Sequence, residues 1–494
     1  MNASFSTSSS RSSEPHNPFP ASRLLLLFLA LCGFFSLGND RLPLIDRDEP
    51  RFAEASREMM QSGDWIVPTF NHAPRYDKPP LIYWMQVACY KTLGDNEFAS
   101  RLPAAFCTAL TAILLLLWGT RLADPRTGLR AALMYTLCLQ VFVHGRAAVA
   151  DPPMVLCVLA AAWTGWEWIQ NPNRRVLGAA FWILLALGFL AKGPVAWIPI
   201  GMTGWAALQR RKSAQPVPSA TAWLLGCAGM VGLVCLWGIP ALRQTGGQFA
   251  AKGLGEHVVG RSLIAMEGHG AAGILGYLAT LPFYFLTLFL SFAPWSFCLP
   301  AAFRSRKRIA SPVAAFLTSG VVLTFAIFTL SRTKLPHYTL PAFPFLCLLL
   351  SLWWRKAMPA KRFRKIAWTT GILFAALPLI VFPLIPSLSV SESAVAAARP
   401  LLHQSTPVAL VDYQEPSLIW GLRKAVRGFV EILSEADVER WMAQPGERLC
   451  ILTTPAAQKI QGPWIRTPVE GFNFAKGRRV SLTLLKTAPA PKAP

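Results

Sequence analysis

Charge is what this sequence has least of. Only 15% of its 494 residues are Asp, Glu, Lys or Arg, against 53% hydrophobic. Long apolar runs recur, which excludes a chain folding around one soluble core and fits a polytopic membrane protein. Acids are scarcer than bases: 25 Asp and Glu face 48 Lys and Arg, a net charge of +23. An excess of that size invites a nucleic-acid partner, but the basic residues sit in short clusters between apolar runs. That placement is the one that sets membrane orientation, so no nucleic acid is expected. No C-x-x-C is present, and most of the 10 Cys lie inside apolar runs, as Cys107, Cys157 and Cys235 do. Neither a disulfide framework nor a zinc knuckle is supported.

Eleven apolar runs are present, at 22–38, 103–119, 129–143, 153–169, 177–191, 194–208, 221–241, 272–300, 312–331, 338–354 and 367–386. Several are short of the roughly 20 residues that a bilayer requires, so tilt or re-entry enters the count. The expected fold is a polytopic α-helical membrane protein of about 11–13 spans. Residues 1–20, rich in Ser, Pro and Asn, read as a disordered tail. Run 22–38 reads as a first span rather than a signal peptide, because so many spans follow. The membrane part thus occupies 21–386. Beyond it, Val408–Val411, Leu449–Thr453 and Val480–Leu485 have strand-like patterns and Val438–Met442 a helical one. A small α/β domain is expected over 387–484, with a disordered Ala/Pro/Lys tail at 485–494.

With the N-terminus in the cytoplasm, Arg121/Arg126/Arg130, Arg174/Arg175, Arg210/Arg211/Lys212, Arg304/Arg306/Lys307/Arg308 and Arg355 to Lys365 all fall on the cytoplasmic side. The opposite loops carry most of the acids and the unusual polar motifs, so the chemistry is expected on the outer face. The longest polar interruption is the first outer loop, 39–101. In it Phe52, Ala55, Met59 and Met60 recur at helical spacing, with Arg51, Glu54, Arg57 and Glu58 on the other side. Pro50 fits the first turn, Asp48 or Glu49 the cap, and Gly63 the stop, giving a short amphipathic helix of the kind that lies along a membrane surface.

Each polar loop admits a plain reading beside a sharper one. Asp48 and Glu49 fit a helix cap, Asp151-Pro152 fits a cap followed by proline, and Lys192 fits snorkelling at a helix end. His257 and Arg261, four apart near Glu256, share a face if helical. Arg332, Lys334, His337 and Tyr338 form either a basic surface loop or an anion site suited to a lipid-linked phosphate. What favours the sharper set is convergence: Asp48, Lys78, Asp151 and Lys192 all fall at one membrane face, where charge is costly without a partner or a cavity.

The motifs D-R-D-E-P-R-F-A-E-A-S-R-E-M-M-Q-S-G-D-W-I-V-P, D-K-P-P-L-I-Y-W, A-V-A-D-P, A-K-G, E-H-V-V-G-R, F-A-P-W and T-K-L-P-H-Y occur in this order. The set resembles that of the aminoarabinose transferase (ArnT) and protein O-mannosyltransferase superfamily of GT-C glycosyltransferases, over roughly residues 20–355. The resemblance implies a donor sugar on a polyprenyl-phosphate carrier, and a glycolipid, glycan or protein acceptor at the outer face of the inner membrane. It implies Asp48 as catalytic base, Asp151 as the second acid, and Lys78, Arg261 and Tyr338 at the donor phosphate. Glu49, Lys192, Glu256, His257 and Lys334 would support them. Asp77 stands where the family usually has Glu in E-K-P, a position associated there with a metal, so a divalent ion would contact Asp77. A single displacement would invert the anomeric centre. A transporter or flippase of lipid-linked sugars is the competing class. It would call for internal repeats and polar residues midway along the spans, and neither is evident.

Reporter fusions test the orientation. Fusions after Arg211 and Arg306 should read cytoplasmic, and fusions at Gly255 and after Ser405 external; a cytoplasmic reading at Ser405 reverses the placement.

Overall fold

The computed structural model describes residues 19–45, 47–260, 273–300, 311–354, 358–403, 406–426 and 428–487, except for the side chains of 254 and 256–259. Among these, six helical segments are long and apolar enough to cross a membrane: Glu97–Leu122, Arg175–Lys192, Ala220–Gln244, Gly273–Ser291, Pro312–Leu330 and Ala360–Leu388. Glu97–Leu122 lies at the centre, against Ala21–Ser36, Pro125–Thr136 and Asp151–Gln170. The chain is a polytopic helical fold that carries a C-terminal sheet domain.

Five of the eleven apolar runs are interrupted; 194–208 begins as the 3-10 turn Pro194–Trp197, and 367–386 breaks after Ile380 at the 3-10 turn Phe382–Leu384. Run 129–143 is split between Pro125–Thr136 and Leu139–His144. Run 272–300 divides into Gly273–Thr280, Phe283–Ser291 and a 3-10 turn at Trp295–Cys298. Run 338–354 begins as the 3-10 turn Pro336–Ala342 before Phe343–Trp353. Prolines 282, 294, 336 and 341 sit at these breaks and carry no N–H for a helix to use. Apolar surroundings still require the freed groups to be satisfied. Where the first break opens, Leu139 N donates to Ala293 O at 2.9 Å and Cys138 Sγ to Ser291 O at 3.1 Å.

The first outer loop contains the expected helix, Asp48–Ser62, and Gly63 ends it with φ +74 and a bond to Met59 O at 3.1 Å. Two details depart from expectation. Arg47 is the cap residue, its side chain not bonding the first turn, and Asp48 is the first helical residue. The polar face is also not solvated, because Glu49, Glu54, Arg57 and Glu58 are all buried. Helix Leu81–Leu93 covers one side and the C-terminal helix Pro416–Leu422 another. A helix charged on one face tolerates this only if each charge finds a partner. Arg57 binds Glu54 through Nε at 3.0 Å and Nη2 at 2.5 Å. Glu58 accepts from Thr69 Oγ1 at 2.6 Å, Asn71 N at 2.6 Å and His72 N at 3.2 Å. Those donors belong to a hairpin of β1 (Thr69–Phe70) and β2 (Ala73–Pro74), whose turn residues Asn71 and His72 hold φ of 49 and 66.

Arg101, fully buried in the long central helix, makes the deepest of these contacts. It holds Glu49 by two bonds of 2.8 Å, and the carbonyls of Asn39, Leu42 and Pro43 at 3.0, 2.5 and 2.8 Å. Five bonds match the five N–H groups of a guanidinium. Glu49 also accepts from Ile45 N at 2.9 Å and Ala148 N at 2.8 Å.

The C-terminal domain is a five-stranded sheet in the order β4-β3-β5-β7-β6. Its strands are β3 (Val408–Val411), β4 (Glu431–Ile432), β5 (Leu449–Thr453), β6 (Ile465–Asn473) and β7 (Arg478–Lys486). β3 runs parallel to β4 and β5, while β7 pairs antiparallel with β5 and β6. Both faces of the central strands are buried, which is why β3 reads as a continuous apolar run. Val408, Leu410, Leu449 and Ile451 pack under Val390–Ala398 and Pro416–Leu422, and Ala409, Val411, Cys450 and Leu452 under Val438, Trp441 and Ile460.

Arg101→Ala should cost about 3–5 kcal/mol, since it strands the Glu49 carboxylate in the interior. Arg101→Lys should recover only part of this, having no planar fork. Thermal melting of the purified protein checks both.

Candidate active site

Glu49 decides where the acids lie. One carboxylate ties the chain ahead of Asp48 to Arg101 and reaches Ala148, three residues before Asp151. The two acidic loops are thereby fastened to each other. Asp48 itself remains exposed at the mouth of its helix. Asp151 is buried and is the first residue of helix Asp151–Gln170; Ala150 takes the cap position, so the carboxylate is not spent on capping. It pairs with Lys192 instead, Nζ to Oδ1 at 2.5 Å. Burial by itself would raise the Asp151 carboxyl; Lys192, His337 and His144 outweigh it and hold the group well below the ordinary carboxylate range. The snorkelling reading of Lys192 gives way to this pair.

Two histidines join the acidic loops to the later ones. The rings of His144 and His337 lie 5.1 Å apart. Burial lowers the His144 imidazole, and it also feels Asp151, Lys192 and Asp48. Burial lowers His337 too, and it feels Asp151, Lys192, His144 and Lys78. Asp151 and Lys192 thus act electrostatically on both imidazoles, Asp48 on His144 and Lys78 on His337. Tyr338 adjoins this group: Lys192 Nζ lies 5.9 Å from its ring centroid, and the Tyr338 and His337 rings are 5.1 Å apart.

The D-K-P-P loop is held from below. Arg75, buried, donates to Tyr83 Oη at 3.1 Å, pairs with Asp77 at 3.1 Å and lies 5.1 Å from the Phe52 ring. Lys78 Nζ donates to Asp77 O at 3.1 Å. Among the described residues, no group of three or more His, Cys, Asp and Glu is placed to hold a metal, and Asp77 faces Arg75. Asp77 as found does not form a metal site by itself. A π-helix, Phe249–Gly260, begins against the same loop. Phe249 meets Tyr76 edge-on at 5.7 Å, and Lys252 lies 5.6 Å from the Tyr76 ring. The backbone of Glu256 and His257 belongs to this helix, but their side chains, and Arg261 entirely, lie outside the described residues.

Lys334 stands apart. It is buried, donates to the carbonyls of Phe328 and Thr329 at the end of Pro312–Leu330, and lies over the rings of Tyr277 and Tyr284 at 5.8 and 5.5 Å. Glu49 is likewise fully engaged with Arg101 and backbone donors. Arg101, Arg75, Tyr83 and His144 were not singled out from the sequence. Arg101 and His144 are lone polar residues beside apolar runs, indistinguishable there from residues at helix ends, while Arg75 is one of several polar residues in its loop and Tyr83 lies within the apolar stretch L-I-Y-W.

The chain is similar to known proteins. The family model described as dolichyl-phosphate-mannose-protein mannosyltransferase matches residues 77–237. Over 343 residues the chain is 33% identical to undecaprenyl phosphate-alpha-4-amino-4-deoxy-L-arabinose arabinosyl transferase 2 of Sodalis glossinidius, covering 67% of this chain and 59% of that one. The corresponding enzyme of Yersinia pestis is 29% identical over 433 residues, 85% of this chain and 73% of the relative. The chain thus spans under two thirds of the length of the Sodalis relative. Crystal structures of ArnT from Cupriavidus metallidurans, bound to undecaprenyl phosphate and in the apo state, superpose with TM-scores of 0.70 and 0.71. Identity is 17% in both, over 94% of this chain and 98% of that one.

The Asp151–Lys192 pair gives a pH prediction. Asp151 has a folded value below its unfolded one of about 3.9, so the pair stabilises the fold above that pH and the contribution fades as pH falls through the folded value. In Lys192→Met the strongest opposing charge is gone and burial prevails, so Asp151 should destabilise the protein at neutral pH and relax on acidification. Melting at pH 5–8 should be nearly level for the wild type in this respect. The variant should be less stable at pH 7 by about 3–5 kcal/mol, with Asp151→Asn restoring part of the loss.

Proposed function

Because this chain belongs to the ArnT-like GT-C glycosyltransferase family, we propose that it moves a sugar from a polyprenyl-phosphate carrier to a membrane-borne acceptor. The observation that carries this reading is the buried Asp151–Lys192 pair beside the His144–His337 pair, with Asp48 and Lys78 near enough to act on those imidazoles electrostatically. The family adds the chemistry: relatives named for an undecaprenyl-phosphate sugar donor, and an ArnT structure bound to undecaprenyl phosphate. A protein acceptor rests only on the mannosyltransferase family description, so a glycolipid acceptor is favoured. Nothing among these relatives favours a transporter.

In this reading Asp48 is the base. It is exposed while Asp151 is committed to Lys192, so of the two acids it is the one open to an incoming acceptor hydroxyl. It takes the proton as the hydroxyl oxygen attacks the anomeric carbon and the bond to the carrier phosphate breaks. One displacement inverts the configuration. Negative charge grows on the departing phosphate, and Lys78, with Arg261 and Tyr338 from the other outer loops, is positioned in sequence to meet it. Asp151, held ionised by Lys192, acts as a fixed negative charge beside the imidazoles. Basic clusters on alternate loops support an inner-membrane orientation with the N-terminus in the cytoplasm and the site and sheet domain outside. The sheet domain would then lie over the acceptor side.

Transfer from a radiolabelled polyprenyl-phosphate sugar in membranes tests the reading directly. Asp48→Asn should insert normally and lose 10²–10⁴-fold in rate, the usual loss for a general base. Lys78→Ala should weaken donor binding on the order of tenfold or more while leaving acceptor affinity unchanged, with Lys78→Arg only partly restored. A rate for Asp48→Asn within about tenfold of wild type would refute the base.

A further inference from the structure

A cleft of about 380 Å³ opens between the end of the Ala360–Leu388 segment and the β6–β7 hairpin, with Ser387, Glu470, Phe472, Phe474, Arg479 and Ser481 among its lining. The hairpin is fixed to the chain at this level. Ser389 bridges Phe472 in parallel, and a Cβ on Gly471 would come within 2.6 Å of Val390 N. Arg479 is the partner of Phe472 across the hairpin, so it sits at the same height. Just before this point in the chain, Leu384 and Leu388 are 60% and 55% exposed, and Leu379 and Ile380 are exposed as well. Apolar surface of that extent at the end of a membrane-length segment marks the lipid boundary. The cleft therefore lies at the step from hydrocarbon to water.

We propose that this cleft binds the phosphorylated sugar headgroup of a membrane glycolipid and is where the acceptor docks. Its chemistry selects that ligand. Phe472 and Phe474, with rings 5.2 Å apart, offer apolar faces for a sugar ring. Arg479 is exposed and supplies the planar fork that suits a phosphate. Glu470 accepts from Ser481 Oγ at 3.3 Å, and Ser387 adds a further hydroxyl. A carboxylate opposes a bare phosphate but accepts from sugar hydroxyls, so Arg479 and Glu470 together fit a phosphosugar better than a phospholipid headgroup. The volume is in the range of small-molecule sites.

The cleft also connects toward the acids. Phe472 and Phe474 line a water-sized cavity that is bounded as well by Pro43, Leu44 and Ile45. That is the chain Arg101 holds just ahead of Asp48. Glu415 spans the same junction: it accepts from Asn473 Nδ2 at 3.1 Å and pairs with Lys476 at 3.4 Å and Arg47 at 3.8 Å. A headgroup held by Arg479 is one aromatic wall away from the loop that carries the proposed base.

The acceptor role rests on the transferase reading, whereas the binding site does not, and the test separates them. Full-length protein in nanodiscs is titrated with lipid A, its dephosphorylated form and phosphatidylglycerol, and transfer is assayed in parallel. Lipid A should bind, dephosphorylation and Arg479→Glu should each weaken binding on the order of tenfold or more, and Arg479→Lys should retain most of it. Glu470→Gln should weaken lipid A but not phosphatidylglycerol, whose phosphate loses an opposing charge, and donor KM should not change in any variant. If Arg479→Glu melts early, Arg479→Ala takes its place. Equal lipid A binding by wild type and variant overturns the site. Equal competition by phosphatidylglycerol overturns the sugar specificity in favour of a general lipid contact. Binding that depends on Arg479 in a protein that transfers no sugar leaves the site standing and removes the transferase reading.

Discussion

The buried fork between Arg101 and Glu49 is the contact on which the rest of the polar loops depends. It places a guanidinium inside the central long helix, where an unpaired charge would be intolerable, and satisfies all five of its donors. Three of those bonds go to carbonyls of the connection between the first helix and Asp48. A loop that would otherwise be free to wander is thus held against a membrane-length helix. Glu49 carries the constraint onward through Ala148 to the second acidic loop. Such a fork does not add much net stability compared with apolar packing. What it adds is position, and only one arrangement of the two loops fills it.

Around the acids the same low dielectric operates with the opposite sign. Asp151, buried, would be protonated without help; Lys192 and the two imidazoles keep it charged. Lys192 is in turn held by Asp151 rather than released to the surface. Burial lowers both imidazoles, and the acids and lysines of several loops act on them. A charged cluster of this kind persists because each member satisfies another, and losing one leaves its partners exposed to the full desolvation cost.

The C-terminal domain is fastened to this frame by polar contacts with the first outer loop. Trp420 Nε1 donates to Glu97 Oε1 at 2.7 Å, Arg423 reaches Asp95 O at 3.0 Å, and Asn71 exchanges bonds with Val430 at 2.9 and 3.2 Å. These contacts explain why a helix that looks amphipathic is covered on its polar face. The domain supplies the cover, and the hairpin turn pinned by Glu58 supplies the ledge on which it rests.

Composition and run length by themselves determined that the chain spans a membrane, because too few charges interrupt too many apolar residues for any other solvent. Local pattern also determined the Asp48–Ser62 helix, its stop at Gly63 and the strands of the C-terminal domain, since these follow from periodicity and backbone preference within a few residues. The motif order brought Asp48, Lys78 and Asp151 forward together as candidates, being charges costly to leave at a membrane face without a partner or a cavity. Tertiary structure alone decided the rest. Lys192 could have snorkelled, Lys334 could have faced an anion, and Arg101 could have been an ordinary helix-end cation; nothing in their neighbours separates these outcomes. The choice depends on what folds over each charge, and those partners lie tens to hundreds of residues away: 52 from Glu49 to Arg101, 41 from Asp151 to Lys192, 359 from Asn71 to Val430. Electrostatic energy depends on distance in space and on burial, and neither is encoded in spacing along the chain.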